Sequence, residues 1–122
     1  MVRTYRKGYM AERELVLYLH SKGWAALRAP RSGSMSIPLP DVVAIKSGRV
    51  ISFEVKSRSP GFSMRREQVE ELKKWKEMTG SPVYVAVKIP RRGWGCVDIS
   101  DVPETGYIGK SMEMMSLEDV IL

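Results

Sequence analysis

Asp41, Glu54 and Lys56 put two carboxylates and an amine within one short stretch of the chain. Asp41 to Lys46 and Arg49 to Lys56 are β-rich runs separated by Ser47-Gly48, a pattern that predicts a hairpin closed by a two-residue turn. With that turn, Lys46 faces Arg49 and the register carries on to set Asp41 opposite Glu54. Directly opposed side chains in an antiparallel pair share a face, with Cβ atoms roughly 4.5–5.5 Å apart. The period of two adds Ser52 and Lys56 to the carboxylates' side and turns Ile51, Phe53 and Val55 to the other. Like charges so placed repel, and a divalent cation neutralises them. Hard oxygen donors, with water and a phosphate completing the shell, are the ligands that Mg²⁺ takes. Taken alone, the same three residues also describe a solvated surface pair with Lys56 as its counter-ion.

The first helix supplies a second acidic signal. At roughly 100° per residue, Leu15, Val16 and Leu19 form an apolar stripe, and Glu12 falls at its centre. A buried carboxylate is costly unless a cation or a strong hydrogen bond meets it. The competing placement turns Glu12 outward near the helix start, where the dipole favours negative charge. Gly8, one turn earlier on the same face, leaves room for close backbone approach, and Glu14 belongs to the opposite, solvated face.

The elements that must position these groups can be read along the chain. A helix is expected over Gly8 to Ser21, stopping at Gly23, then a short strand from Trp24 to Arg28. A loop rich in Ser, Gly and Pro, Pro30 to Pro40, precedes the hairpin and is long enough to move. Ser57 to Ser63 reads as a linker into a second helix, Met64 to Met78, with apolar Val69, Leu72, Trp75 and Met78 and a stop at Gly80. Pro82 to Ile89 is a largely apolar run typical of a strand covered on both faces, and Gly93 to Ile99 is a weaker strand. This order implies an α/β fold, a central mixed sheet of about five strands flanked by helices. The tail from Asp101 to Leu122 shows no clear element, and its methionines, Met112, Met114 and Met115, suit gap-filling in a core or a subunit interface.

A length of 122 residues fits one domain, 1–122, and 43% hydrophobic with 28% charged residues argues against wholesale disorder. The formal net charge of +6 makes nucleic acid the natural partner, and the basic residues gather where loops and ends are expected. These are Arg3, Arg6 and Lys7, then Arg28 and Arg31, then Arg58, Arg65 and Arg66, and finally Arg91 and Arg92. Apolar runs fall far short of the roughly 20 residues of a membrane span and no secretion signal opens the chain, so a soluble, cytoplasmic protein is expected. The single cysteine, Cys96, excludes an internal disulfide framework, and the only histidine, His20, lies off the apolar stripe, which leaves no basis for histidine catalysis. Trp75 and Trp94 could stack on bases, but Trp75 lies on the apolar side of its helix and reads as core or interface, with Gln68 flanking that face.

At this point the residues resemble a known family. Pro40-Asp41, twelve residues, then Glu54-Val55-Lys56 resembles the PD-(D/E)xK nuclease signature. Arg6-Lys7-Gly8 followed by Ala11-Glu12-Arg13-Glu14-Leu15 is similar to the opening of archaeal-type Holliday junction resolvases, and the likeness runs in order from Arg6 to Val87, including Pro82-Val83. The resemblance implies a restriction-endonuclease-like core and a homodimer that binds four-way junction DNA and cuts paired strands. It implies Mg²⁺ as cofactor, with Mn²⁺ able to substitute, and no small-molecule cofactor. By the same resemblance Glu12, Asp41 and Glu54 are the metal-site acids and Lys56 the catalytic lysine. Arg13 and Arg28 would contact substrate phosphate, joined by the basic clusters Arg6, Lys7, Arg31, Arg58, Arg65 and Arg66. The family's catalytic-loop serine falls to Ser32 or Ser34, with Ser32 preferred, because Met35 to Pro40 lengthens the loop beyond the family's shorter form. Some related nucleases also use a glutamine on the second helix, where this chain has Gln68.

Two other readings stay open from the residues. A repair or restriction-like nuclease acting on other DNA structures would use the same catalytic set, and a synthetic four-way junction beside its linear duplex separates the two. A non-catalytic DNA-binding relative would keep the acids as a remnant, and cutting unchanged by Lys56→Met would favour it, with a contaminating nuclease as the source of the cutting. The expected dimer interface is the segment after Val97 or one face of the second helix.

Overall fold

The computed structural model describes residues 2–30, 37 and 39–122, with side chains from residue 6 onward. Helix α1 runs from Val2 to Ser21, six residues earlier than the sequence pattern suggests. It is followed by β1 (Ala25–Arg28), β2 (Val42–Lys46), β3 (Arg49–Ser57) and β4 (Phe62–Ser63). Helix α2 (Arg66–Thr79), β5 (Val83–Ile89), β6 (Gly93–Asp98), a 3₁₀ turn at Ile99–Asp101, β7 (Tyr107–Ile108) and α3 (Leu117–Val120) complete the chain.

Five strands form one mixed sheet in the order β1-β2-β3-β5-β6. The β2–β3 hairpin has the expected register, Lys46↔Arg49 through Val42↔Phe53. Ser47 and Gly48, at φ 48° and 83°, take the two left-handed positions that a type I′ turn demands. β3 and β5 are the one parallel pair of this sheet, as they must be when a helix crosses between them, and α2 is that crossover. β5 and β6 close the sheet antiparallel.

Each face of the sheet carries its own apolar core, which is why the strands alternate. Leu15 and Leu19 of α1 and Trp24 pack with Val42, Ala44, Ile51, Phe53, Val55, Ala86 and Cys96. On the other face Val69 and Leu72 of α2 pack with Val83, Val85, Val87, Val97 and Ile99. Trp75 is half-buried against this second core, where its indole N–H donates to Ser52 Oγ at 3.0 Å. Burying the Ser52 hydroxyl is thereby compensated.

The segment after Val97 folds back onto its own chain. Ile99, Val102 and Ile108 join the α2-side core, Leu117 and Val120 join the α1-side core, and Met115 bridges Cys96 through the backbone. Met112 and Met114 pack partly buried against the second core, while Met115 is exposed. Ser57 to Ser63 is more than a linker, because it contains β4, which pairs with β7 in a separate two-stranded sheet. Gly106, at φ 76°, has to be glycine there: a Cβ would collide with the Met64 carbonyl. No helix among the described residues is long and apolar enough to cross a membrane.

Candidate active site

The residues of interest meet at one end of the sheet. Arg28 pairs with Val42 and Val42 with Phe53, so three strands contribute to one row of residues. In the next row the Asp41 carbonyl accepts from the Ala29 N–H at 2.9 Å, and the Asp41 N–H donates to the Phe53 carbonyl at 2.9 Å. Asp41 and Val42 therefore both face Phe53, the offset of a β-bulge. The expected placement of Asp41 squarely across from Glu54 is corrected by this offset. The bulge re-aims Asp41, whose Oδ2 accepts the Val55 N–H at 2.8 Å, one peptide beyond Glu54. A backbone N–H on one carboxylate relieves the repulsion that an unbroken ladder would build between two.

Glu54 projects into the α2 side of the sheet and is only 5% exposed. Gln68, in the first turns of α2, donates from Nε2 to Glu54 Oε2 at 2.6 Å and accepts at Oε1 from Lys56 Nζ at 3.1 Å. The Lys56 ammonium lies 3.7 Å from the same carboxylate oxygen. One amide thus ties the acid and the amine into a fixed relation, using both of its polar ends. A cavity of about 30 Å³ opens beside Glu54 and Gln68, walled by Leu39, Pro40, Leu72 and Trp75. That volume holds a water or two.

Glu12 is buried on α1 at 3% exposure, as the stripe geometry requires, so the outward placement does not occur. Its Oε1 accepts from Arg28 Nε at 2.8 Å, and the Arg28 guanidinium also stacks 4.5 Å from the centre of the Tyr9 ring. Arg28 and its row partner Val42 lie on the face that packs against α1, so Glu12 approaches from the opposite side of the sheet to Glu54. The expectation that three carboxylates gather into one cluster is not met. Among the described residues no three His, Cys, Asp or Glu side chains form a group able to hold a metal. Glu12 meets Arg28, Asp41 the Val55 N–H, and Glu54 both Gln68 and Lys56. Nor does Gly8 serve a close approach, since a Cβ there would meet nothing within 4 Å.

Arg31, Ser32, Ser34 and the start of the loop Met35 to Pro40 lie outside the described residues. Arg6, Lys7, Arg13, Arg58 and Arg65 are exposed, and Arg66 is exposed with a long 3.5 Å pair to Glu104. Glu14 is half-exposed but not idle: it accepts from Lys88 Nζ at 2.7 Å and Trp94 Nε1 at 2.9 Å. The Lys88 contact, outweighing partial burial, holds its carboxyl below the ordinary range. His20 is exposed and pairs with the Ala26 backbone. The one residue at the site that charge and spacing did not single out is Gln68. Its signals in the sequence are its place one turn before Leu72 and two before Trp75 on the inward side of α2, and the glutamine that some related nucleases carry on this helix.

The family model of the archaeal Holliday junction resolvases (Hjc) matches residues 3–122. The chain belongs to this family. Two relatives named crossover junction endodeoxyribonuclease Hjc, from Sulfurisphaera tokodaii and Sulfolobus acidocaldarius, are 39% and 41% identical over 88 residues, 70% of this chain. The matched stretch spans 61% and 62% of those relatives' own lengths. A solved structure of Archaeoglobus fulgidus Hjc, described as a Holliday junction resolvase from an archaeal hyperthermophile, superposes with a TM-score of 0.82 at 28% identity. That match covers 93% of this chain and 98% of the other, and it makes the fold restriction-endonuclease-like, with the mixed five-stranded sheet between helices.

Proposed function

We propose that residues 1–122 form a single nuclease domain, a divalent-metal-dependent endodeoxyribonuclease that binds four-way DNA junctions and cuts paired strands by phosphodiester hydrolysis. The observation that carries this reading is the Glu54–Gln68–Lys56 network beside Asp41 at the sheet end, in a chain of this family. The donor set is all carboxylate oxygen, which suits Mg²⁺, with Mn²⁺ in its place, better than a softer ion. Asp41 and Glu54 would hold it, while Glu12, on the α1 side of the sheet, acts through Arg28. Such an ion, when bound, stabilises charge on a phosphoryl oxygen and lowers the pKa of a water.

The rest of the chemistry belongs to the side chains. Lys56 places a cation where negative charge develops on the scissile phosphate and orients a water for attack. Gln68 keeps the Lys56 ammonium and the Glu54 carboxylate in register, so neither reorganises during the reaction. Arg28, braced by Glu12 and Tyr9, offers its remaining guanidinium N–H groups to the phosphate of the cleaved strand. Arg6, Lys7, Arg13, Arg58, Arg65 and Arg66, with Arg31, add the diffuse positive field that draws DNA in. Ser32 is the loop serine assigned to the catalytic set.

Paired cuts call for two symmetric sites, and a homodimer supplies them. An uncovered apolar surface supports it. Among the described residues, helix α2 packs mainly on β5 and the 3₁₀ turn rather than on the β1–β2 part of that sheet face. Leu27 and Ile45 there are 54% and 44% exposed, and Met78 on α2 is 65% exposed. The segment after Val97 fills its own chain's cores, which leaves this face and α2 as the interface. Sedimentation should give a dimer that Ile45→Asp disperses; a wild-type monomer at micromolar concentration counts against it.

The function is tested by incubating the protein with a synthetic four-way junction and with the linear duplex of the same arm sequence, each with and without Mg²⁺. Symmetric, Mg²⁺-dependent nicking of the junction alone is the expected result. Equal cutting of both substrates rejects junction selectivity, and no cutting of either rejects the nuclease reading.

A further inference from the structure

The connection between Lys56 and Gln68 is built around β4, and β7 holds it in place. Gly61 N–H donates to the Ile108 carbonyl at 2.7 Å and Met64 N–H to the Gly106 carbonyl at 2.8 Å, on either side of the Phe62↔Ile108 pair. Phe62 and Ile108 turn inward and are buried, so Ser63 and Tyr107 turn outward. This small sheet lies next to the candidate site by chain continuity, since the strand that ends at Ser57 carries Lys56 and the helix that begins at Arg66 carries Gln68.

Its outer rim has a distinct composition. The Arg58 guanidinium is held over the Phe62 ring at 4.7 Å, with the side chain exposed. Lys110 arrives from the far end of the chain and lays its stem along the Gly61 backbone. A Cβ at Gly61 would sit 3.3 Å from Lys110 Cε and 3.6 Å from Cγ. Tyr107 is 48% exposed, and its ring rests over Gly109, where a Cβ would come within 3.0 Å of Cε2. Other basic side chains are occupied: Arg28 by Glu12, Lys56 by Glu54, Lys76 by Asp98 and Lys88 by Glu14. Among the described residues neither Arg58 nor Lys110 has a carboxylate partner. Two cations braced by packing, with no carboxylate partner, on the same two-stranded sheet as an exposed aromatic make a surface that fits a polyanion with an apolar sugar edge. The phosphodiester backbone of a DNA duplex has that chemistry.

We propose that the β4–β7 platform is a duplex-contacting surface, in which Arg58 and Lys110 bind backbone phosphates of a junction arm and Tyr107 packs against the deoxyribose beside them. The proposal rests on the nuclease reading, because it presumes that a junction arm leaves the candidate site along the Lys56–Gln68 connection. It extends that reading to Lys110 and Tyr107, in a part of the chain where charge and spacing gave no lead.

The test is equilibrium binding of a fluorescent four-way junction in EDTA, followed by anisotropy over a series of salt concentrations, with thermal melting to confirm that each variant is folded. Each phosphate contact contributes about 0.9 to the slope of log affinity against log salt. Arg58→Ala with Lys110→Ala should reduce the slope by about 1.8, and Lys110→Arg should restore one contact's share. Tyr107→Ala should weaken binding several-fold with the slope unchanged, since its contact releases no counterion. A double variant that is folded and keeps the wild-type slope overturns the platform, as does wild-type affinity in Tyr107→Ala. Failure of the nuclease reading has a different signature: wild-type protein that binds the junction yet does not cut it with Mg²⁺.

Discussion

Removing the guanidinium from Arg28 should expose how much the fold depends on neutralising Glu12. The Glu12 side chain is 4% exposed and Arg28 is 30% exposed, with 2.8 Å between Oε1 and Nε. Deleting one partner of a fully buried ion pair costs about 3–5 kcal/mol, because the other charge is left in a poor solvent. Arg28 keeps part of its surface in water and Glu12 has a further interaction, so the cost is discounted to about 2 kcal/mol. For a chain of 122 residues, Arg28→Ala should then lower Tm by roughly 6–10 °C. The loss should be smaller in Arg28→Ala combined with Glu12→Gln, where no charge remains to be solvated. Calorimetry on the wild type, both single variants and the double variant in EDTA closes the cycle. A Tm for Arg28→Ala within 2 °C of wild type, or strictly additive losses in the double variant, would refute the claim that the pair is coupled.

Three further outcomes follow from particular contacts. Gln68→Leu keeps the shape of the side chain and removes both bonds of the bridge, so single-turnover junction cleavage should fall about tenfold or more while the protein stays folded; an unchanged rate would sink the bridging role. Burial pushes the Cys96 thiol up to about 12, so native protein at pH 8 should resist a thiol reagent that labels it at once in guanidinium, and rapid native labelling would contradict its placement. Burial pushes the Asp98 carboxyl up, but the Ser100 N–H at 2.8 Å and Lys76 Nζ at 3.2 Å outweigh it and hold it below the ordinary range. A lowered folded-state pKa adds stability above the unfolded value, near pH ~4, that disappears as pH falls through the folded one. Asp98→Asn should therefore be less stable than wild type at pH 7 and indistinguishable from it in strong acid, by urea unfolding at each pH; a gap that persists in acid would contradict this.

The sequence was most legible where a local rule had a single solution. Ser47-Gly48 between β-rich runs admits one hairpin register, and that register is the one observed, from Lys46↔Arg49 to Val42↔Phe53. Glu12 amid Leu15, Val16 and Leu19 had to be buried with a partner, and Arg28 is one. What periodicity could not foresee is the bulge at Asp41. It depends on how the chain enters β2 from a long loop, and a strict alternation rule assumes that no residue is inserted. The same limit hid β4 and β7. Two-residue strands have no period to detect, and each exists only because the other, 44 to 46 residues away, pairs with it. Gln68 was marked only by the family resemblance, because an uncharged amide gains significance only from the acid and amine it happens to join. Helix α1 begins earlier than its stripe because polar and basic residues at its start extend a helix without adding an apolar face.

The central claim is that Lys56, held against Glu54 at the end of the sheet, takes part in phosphodiester hydrolysis rather than serving as a counter-ion. Single-turnover cleavage of a four-way junction at saturating protein and Mg²⁺, comparing wild type with Lys56→Met, tests it most directly. The rate should be lower by about 10²–10⁴ in the variant, with junction binding retained. Equal rates for the two proteins would contradict it.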